Sequence, residues 1–136
     1  FKGIEEVSFG INTMADSTLF EQQFHLVQRL MTLNIDLYFY ITLTAPTQTD
    51  FGSAVPRFLD RIQSIHENLP LRVVPLEILE FTPITSRIKD DQSIKSEVDD
   101  LIKCQHQAIR FWRTELNKRF SKSQLDLPIT DIKIKS

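Results

Sequence analysis

The run Asp36-Leu37-Tyr38-Phe39-Tyr40-Ile41-Thr42-Leu43-Thr44 is rich in β-branched and aromatic residues and lacks clean alternation of polar and apolar side chains. A strand that reads this way is buried on both faces, and such strands belong to parallel sheets. Parallel neighbours cannot be joined by a tight hairpin, so each connection is a long crossover, usually a helix. A chain built around this run therefore has to alternate strands with helices.

The flanking residues supply that alternation. Thr18-Leu19-Phe20-Glu21 has capping-box spacing, and Phe20, Phe24, Val27 and Met31 recur at helical intervals with Leu30 beside them. These predict a helix over residues 18–33, with Asn34 as its stop. Ala45-Pro46 ends the strand. A second helix is expected over 53–67, with Val55, Phe58, Leu59, Ile62 and Ile65 as its apolar stripe and Pro56 tolerable in its first turn. Residues 71–81 form the next strand region. Pro75 is expected to split it, leaving Leu76 to Phe81 as the ordered core. A polar loop from Thr82 to Ser93 leads into the longest helix, over 94–120, with Trp112, Leu116 and Phe120 on its buried face. Lys118 and Arg119 lie near its negative end, where cations are favoured. Residues 121–136 read as a polar tail, in which Ile129, Ile132 and Ile134 either add a short strand or pack against the body. Phe1-Lys2-Gly3 reads as the end of a strand begun upstream.

Composition removes several classes of function. The net charge of −2 gives no electrostatic case for a nucleic-acid or membrane partner. The longest apolar stretch, Leu37 to Ala45, falls far short of a bilayer span. The single cysteine, Cys104, excludes an internal disulfide and any thiolate-built cluster or structural zinc site within the chain, and it points to a reducing, cytoplasmic compartment. Only Gly3, Gly10 and Gly52 are glycines, which argues against a phosphate-cradling loop. His25, His66 and His106 fall on three different helices, and Cys104 and His106 face apart on theirs, so no metal site is expected from them. Trp112, Phe111 and Phe120 lie at helical spacing and read as core or interface residues, not as a base-stacking platform.

The order of elements fits either part of a (β/α) barrel or a small open α/β sheet. In parallel architectures chemistry gathers at the carboxyl ends of the strands. Three places qualify here: Lys2 with Gly3, Thr42 through Pro46, and Glu80 through Thr85. Glu77 and Glu80 fall on opposite faces of their strand, so they are not a paired acid and base. Glu77 is read as structural, and Glu80, nearer the strand end, as the better functional candidate.

Several strings, in order, resemble the C-terminal half of radical S-adenosylmethionine enzymes. These are Phe1-Lys2-Gly3, the loop Ser8-Phe9-Gly10-Ile11-Asn12-Thr13 leading to Leu19-Phe20-Glu21-Gln22-Gln23-Phe24, and the strand Tyr38 to Thr44. Val55-Pro56-Arg57-Phe58, Leu69-Pro70-Leu71-Arg72, Pro75-Leu76-Glu77 and Phe81-Thr82-Pro83-Ile84-Thr85 follow. The resemblance covers most of residues 1–120 and leaves 121–136 as a tail. It implies a partial (β/α) barrel of TIM-barrel type with parallel strands. It also implies S-adenosylmethionine and a 4Fe-4S cluster as cofactors of the parent protein, and hydrogen abstraction from an unknown small-molecule or protein substrate. On the same resemblance Lys2 would meet the carboxylate of S-adenosylmethionine, Thr42 and Thr44 its ribose or the substrate, and Phe81 its adenine, with Glu80 and Thr82 beside the substrate. Each has a plainer reading: a solvated lysine, threonines bonded to their own backbone, a core phenylalanine.

The family holds its cluster with a CxxxCxxC loop, which this sequence lacks. The cluster would then belong to a missing N-terminal half of the barrel, and this chain, binding no cofactor alone, would not be active by itself. A non-catalytic α/β module that binds a ligand or partner is the competing expectation. A relative that keeps the scaffold without the cluster is a third.

Overall fold

Phe39–Thr42 forms β1 and Val73–Leu76 forms β2, paired in parallel with Phe39 opposite Val73 and Thr42 opposite Leu76. They belong to a computed structural model that describes residues 1–78 and 92–135. On the other side of β1, Lys2 makes a single parallel bridge to Thr42. The Thr42 N–H donates to the Phe1 carbonyl at 3.0 Å, and the Phe1 nitrogen donates to the Tyr40 carbonyl at 2.6 Å. β1 is thus central, flanked by the Lys2 segment and by β2.

Helices make up most of the described residues. They are α1 (Glu6–Thr13), α2 (Phe20–Met31), α3 (Phe51–Ile65), α4 (Gln92–Arg119) and the single turn α5 (Lys122–Leu125). The expected partial (β/α) barrel is therefore corrected. The described residues hold two short parallel strands and one bridge, in a mainly helical structure. The physical reason lies at the sheet edges. Pro75 sits within β2, and proline is tolerated on an edge strand because its missing N–H breaks no ladder bond there. The N–H of Val73 is already bonded to the Pro70 carbonyl. At the opposite edge the Lys2 N–H donates to Gln23 Oε1 of α2 at 2.7 Å. Among the described residues both edges are closed by local groups and not by further strands.

Other expectations shift in register. Residues 8–13, read as a loop, form the greater part of α1. The cap before α2 is Asp16, whose carboxylate accepts from the Thr18 N–H at 3.0 Å, and a short 3-10 turn, Ser17–Leu19, precedes the helix. Asn34 does mark the end of that segment, with φ at 53°. α3 starts earlier than expected, which places Pro56 beyond its first turn. Pro75 does not split its strand, and Leu69–Arg72 ahead of it form a 3-10 turn. The tail makes α5 and a 3-10 turn at Ile129–Asp131, and its Ile132 and Ile134 are buried as packing residues.

The core lies between the sheet and the helices. Ile41, Leu43 and Val73 meet Phe20, Phe24 and Val27 of α2, Phe58, Leu59 and Ile62 of α3, and Ala108 and Trp112 of α4. An aromatic series runs through it: Phe24 to Phe58 at 5.6 Å between centroids, Phe1 edge-on to Phe58 at 5.1 Å, and Phe58 to Trp112 at 6.0 Å. Such pairs add to burial through the ring quadrupoles. α4 packs on α3, where Arg119 bonds Asp60, Gln63 and the Pro56 carbonyl.

Candidate functional site

Successive residues of a strand point to opposite faces. Ile41 and Leu43 face the helices and are fully buried, so Tyr38, Tyr40, Thr42 and Thr44 share the other face. Ladder partners point the same way, which sets Lys2, Thr42 and Leu76 in one row across the three strand segments. Tyr38, Tyr40 and Leu76 are exposed on this face, as is Lys2. The Tyr38 and Tyr40 rings stand edge to face at 5.5 Å. Hydrogen bonding to Tyr38 pushes the Tyr40 phenol above its ordinary value, because the bond favours the protonated form.

The chain leaves the Lys2 segment through Gly3, whose φ is 109°. A Cβ there would lie 2.6 Å from Ser8 Oγ and 2.7 Å from the Phe9 nitrogen, so only glycine lets α1 start so close to the strand. Ser8 Oγ accepts from the N–H groups of Ile4 and Glu5 at 3.1 and 3.2 Å, which fixes the first turn of α1. That orientation brings Asn12 to the end of β1. Its Nδ2 donates to the Thr44 carbonyl at 2.9 Å, and the Thr44 hydroxyl donates back to Asn12 Oδ1.

Of the residues the sequence singled out, Lys2, Thr42 and Thr44 come together. Lys2 and Thr42 are bridge partners, and Thr44 lies on the same face of the central strand. Thr44 is buried and its hydroxyl is committed to Asn12, so its part is to position the strand end. Glu80, Phe81 and Thr82 lie outside the described residues. Glu77 is half exposed, and its carboxylate is 3.9 Å from His106 Nδ1 on α4. His66 Nδ1 accepts from the Asn68 N–H at 3.1 Å, and His25 is exposed on α2. Among the described residues no group of three His, Cys, Asp or Glu side chains is placed to hold a metal ion. Cys104 is buried, and burial first, then the Asp100 charge, pushes its thiol up, away from reactivity.

Sequence reasoning missed the side-chain amides that finish the strands: Asn12 at Thr44, Gln23 at Lys2 and Gln105 at Ile78. It also missed Tyr38 and Tyr40 as a surface pair. A second concavity, about 400 Å³, runs outside β2 between α4 and the tail, lined by Pro75, Ile109, Trp112, Leu116, Leu127 and Ile132 among others. The Trp112 Nε1–H is buried with no partner among the described residues. Among the described residues no helix is long and apolar enough to cross a membrane. No family model, no curated protein and no solved structure matches the chain.

Proposed function

We propose that this chain is part of a radical S-adenosylmethionine protein, in which it orients the cofactor and substrate and does not carry the cluster. The observation that carries this reading is the exposed Lys2, bridged to the buried Thr42 at the end of β1. It adds to the resemblance of the ordered strings between Phe1 and Thr85. An exposed ammonium suits a ligand that bears a carboxylate. Asn12 and Gly3 hold the two strand ends in place. The chain's own residues do not fit a cluster: its one thiol is buried and protonated, and a 4Fe-4S site takes several thiolates. The radical chemistry belongs to the cluster and cofactor, and this chain's part is placement.

The test starts from the complete gene. Its product, reconstituted anaerobically with iron and sulfide, is expected to show 4Fe-4S absorption and to release 5′-deoxyadenosine from S-adenosylmethionine on reduction. Lys2→Ala should raise the KM for S-adenosylmethionine with the cluster absorption intact. A complete gene without a CxxxCxxC loop overturns the reading.

In that event the second reading, a non-catalytic α/β binding module, takes its place. The observation that favours it is the closure of both sheet edges, by Gln23 on one side and Pro75 on the other. It requires the isolated chain to be monomeric and to unfold cooperatively.

A further inference from the structure

The tail is gripped by its carbonyls. Among the described residues no main-chain to main-chain hydrogen bond joins residues 121–135 to the body. Side chains of the body donate instead. Arg72 donates from Nε and Nη2 to the Ile132 carbonyl and from Nη2 to the Thr130 carbonyl, and Asn68 Nδ2 donates to the Lys133 carbonyl. After the 3-10 turn Ile129–Asp131 the backbone is extended at Ile132, with φ −76° and ψ 113°. Alternate side chains of an extended segment share a side. Ile132 and Ile134 are buried, and Lys133 between them is exposed. Main-chain groups held by donors, with alternate side chains in apolar recesses, is how an extended peptide is bound.

The body builds this seat from its own groups. Arg72 Nη1 donates to the Leu37 carbonyl at 3.1 Å and meets the Asp36 carboxylate at 3.0 Å, which aims the rest of the guanidinium fork at the tail. Asn68 stands just ahead of the turn Leu69–Arg72. The tail fits the seat loosely. Ile132 and Ile134 are buried, yet they stand apart from the contiguous core. Concavities of about 400, 410 and 230 Å³ all have Ile132 in their walls, whereas a residue of a close-packed interior leaves little space beside it. We propose that Arg72 and Asn68 form a peptide-binding seat for an extended Ile-x-Ile segment of a partner protein, and that residues 130–134 occupy it as an internal competitor. The chemistry of the ligand is read from the segment seated there. Arg72 directly precedes β2, and Asp36 and Leu37 precede β1, so the seat lies at the amino ends of the strands. Lys2 and Thr42 lie at the other end, and the two sites are independent.

The probe is a fluorescein-labelled peptide with the sequence of residues 126–136. Ile132→Asp with Ile134→Asp in the whole chain should free the seat while the circular dichroism stays that of wild type. Fluorescence anisotropy is expected to show saturable binding of the peptide to this variant, at least about tenfold tighter than to wild type, because a seat that is rarely empty lowers the apparent affinity by its empty fraction. The same peptide with aspartates in place of its two isoleucines should not bind. Adding Arg72→Met to the variant should weaken binding at least about tenfold. A folded variant that ignores the peptide overturns the proposal. A second measurement needs no variant. A tethered segment has an effective concentration on the order of millimolar, so unlabelled peptide at about 5 mM should displace the tail of the ¹⁵N-labelled wild-type chain. Amide resonances of residues 130–135 should then move to random-coil positions while those of Leu59 and Ile62 stay in place. Resonances of 130–135 that do not move overturn the proposal. So does a sedimentation mass that doubles with concentration in wild type and stays monomeric in the double variant, because the seat then exchanges tails between copies of this chain.

Discussion

Gln105 and Ile78 exchange two hydrogen bonds: the Ile78 N–H donates to Gln105 Oε1 at 3.0 Å, and Gln105 Nε2 donates to the Ile78 carbonyl at 2.9 Å. The side-chain amide of α4 takes the place that a neighbouring strand's peptide would fill. Gln105 is fully buried, so nothing from solvent competes for those bonds. Asn12 at Thr44 and Gln23 at Lys2 do comparable work for the other two strand segments. A sheet this small keeps its strand ends in register by borrowing amides from its own helices.

Gln105→Leu removes both bonds and leaves the Ile78 N–H and C=O without partners. An unpaired buried polar group costs about 1–3 kcal/mol, so a loss in that range or above is expected from urea unfolding followed by Trp112 emission. Gln105→Glu keeps an acceptor and an O–H donor while its carboxyl is protonated, and at such a pH should fall between wild type and Gln105→Leu because the geometry of the amide is lost. A Gln105→Leu protein as stable as wild type would contradict the capping role.

Gly3→Ala places a methyl group 2.6 Å from Ser8 Oγ in a backbone conformation that L-residues avoid. Strain of this kind costs roughly 1–3 kcal/mol, before any movement of α1. Because α1 carries Asn12, the disturbance should travel to Thr44. Amide chemical shifts at Thr44 and Ala45 should move together with the loss in unfolding free energy. Unchanged Thr44 shifts would separate the turn at Gly3 from the end of β1.

The central strand was legible from its β-branched and aromatic residues, but burial on both faces was not borne out, because Tyr38 and Tyr40 are exposed; α2, α3 and α4 were legible because their apolar stripes repeat at helical spacing. α1 was not. It is eight residues long, with Gly10 inside it, and its buried residues are only Ser8 and Phe9, too few to establish a period. The barrel expectation failed for a different reason. A strand's composition does not report how many neighbours lie along its edges. Those edges depend on Gln23 and Pro75, and Gln23 finds Lys2 across 21 residues of sequence. Lys2 and Thr42 could be nominated as strand-end residues, but their adjacency follows from the ladder register alone. Asn12 and Gln105 reach partners 32 and 27 residues away and carry no local signal.

The pair Glu21–Arg61 sets a pH dependence. Hydrogen bonding to the Arg61 guanidinium holds the Glu21 carboxyl below its ordinary value of 4.5. A carboxyl whose folded value is depressed gives stability that is present above its unfolded value and is lost as the pH falls through the folded one. Stability should therefore decline as the pH drops below 4.5. Glu21→Gln should flatten part of that decline, with little change near neutral pH because the pair is solvent-exposed. Urea midpoints of the two proteins across the acid range test this, and parallel curves would remove Glu21 from the account.

Arg72 ties the tail to the body. Its guanidinium is nearly buried and donates to the Ile132 carbonyl from Nε at 2.9 Å and from Nη2 at 2.6 Å. It also reaches the Thr130 carbonyl at 3.3 Å, the Leu37 carbonyl at 3.1 Å and the Asp36 carboxylate at 3.0 Å. The planar fork meets acceptors from two distant segments at once, which the single ammonium of lysine cannot do. Arg72→Lys should cost about 2 kcal/mol or more, because carbonyls of the tail lose charge-assisted bonds. Arg72→Met should cost at least as much despite its apolar fit, since the Ile132 carbonyl is left facing a side chain without donors. The same variants should raise hydrogen exchange at residues 130–135 before they affect α3, because the tail is joined to the body here and through the Asn68 bond to the Lys133 carbonyl at 2.9 Å. If exchange in the tail stayed at wild-type levels in Arg72→Met, the burial of Ile132 and Ile134 would be the dominant anchor and the guanidinium a secondary one.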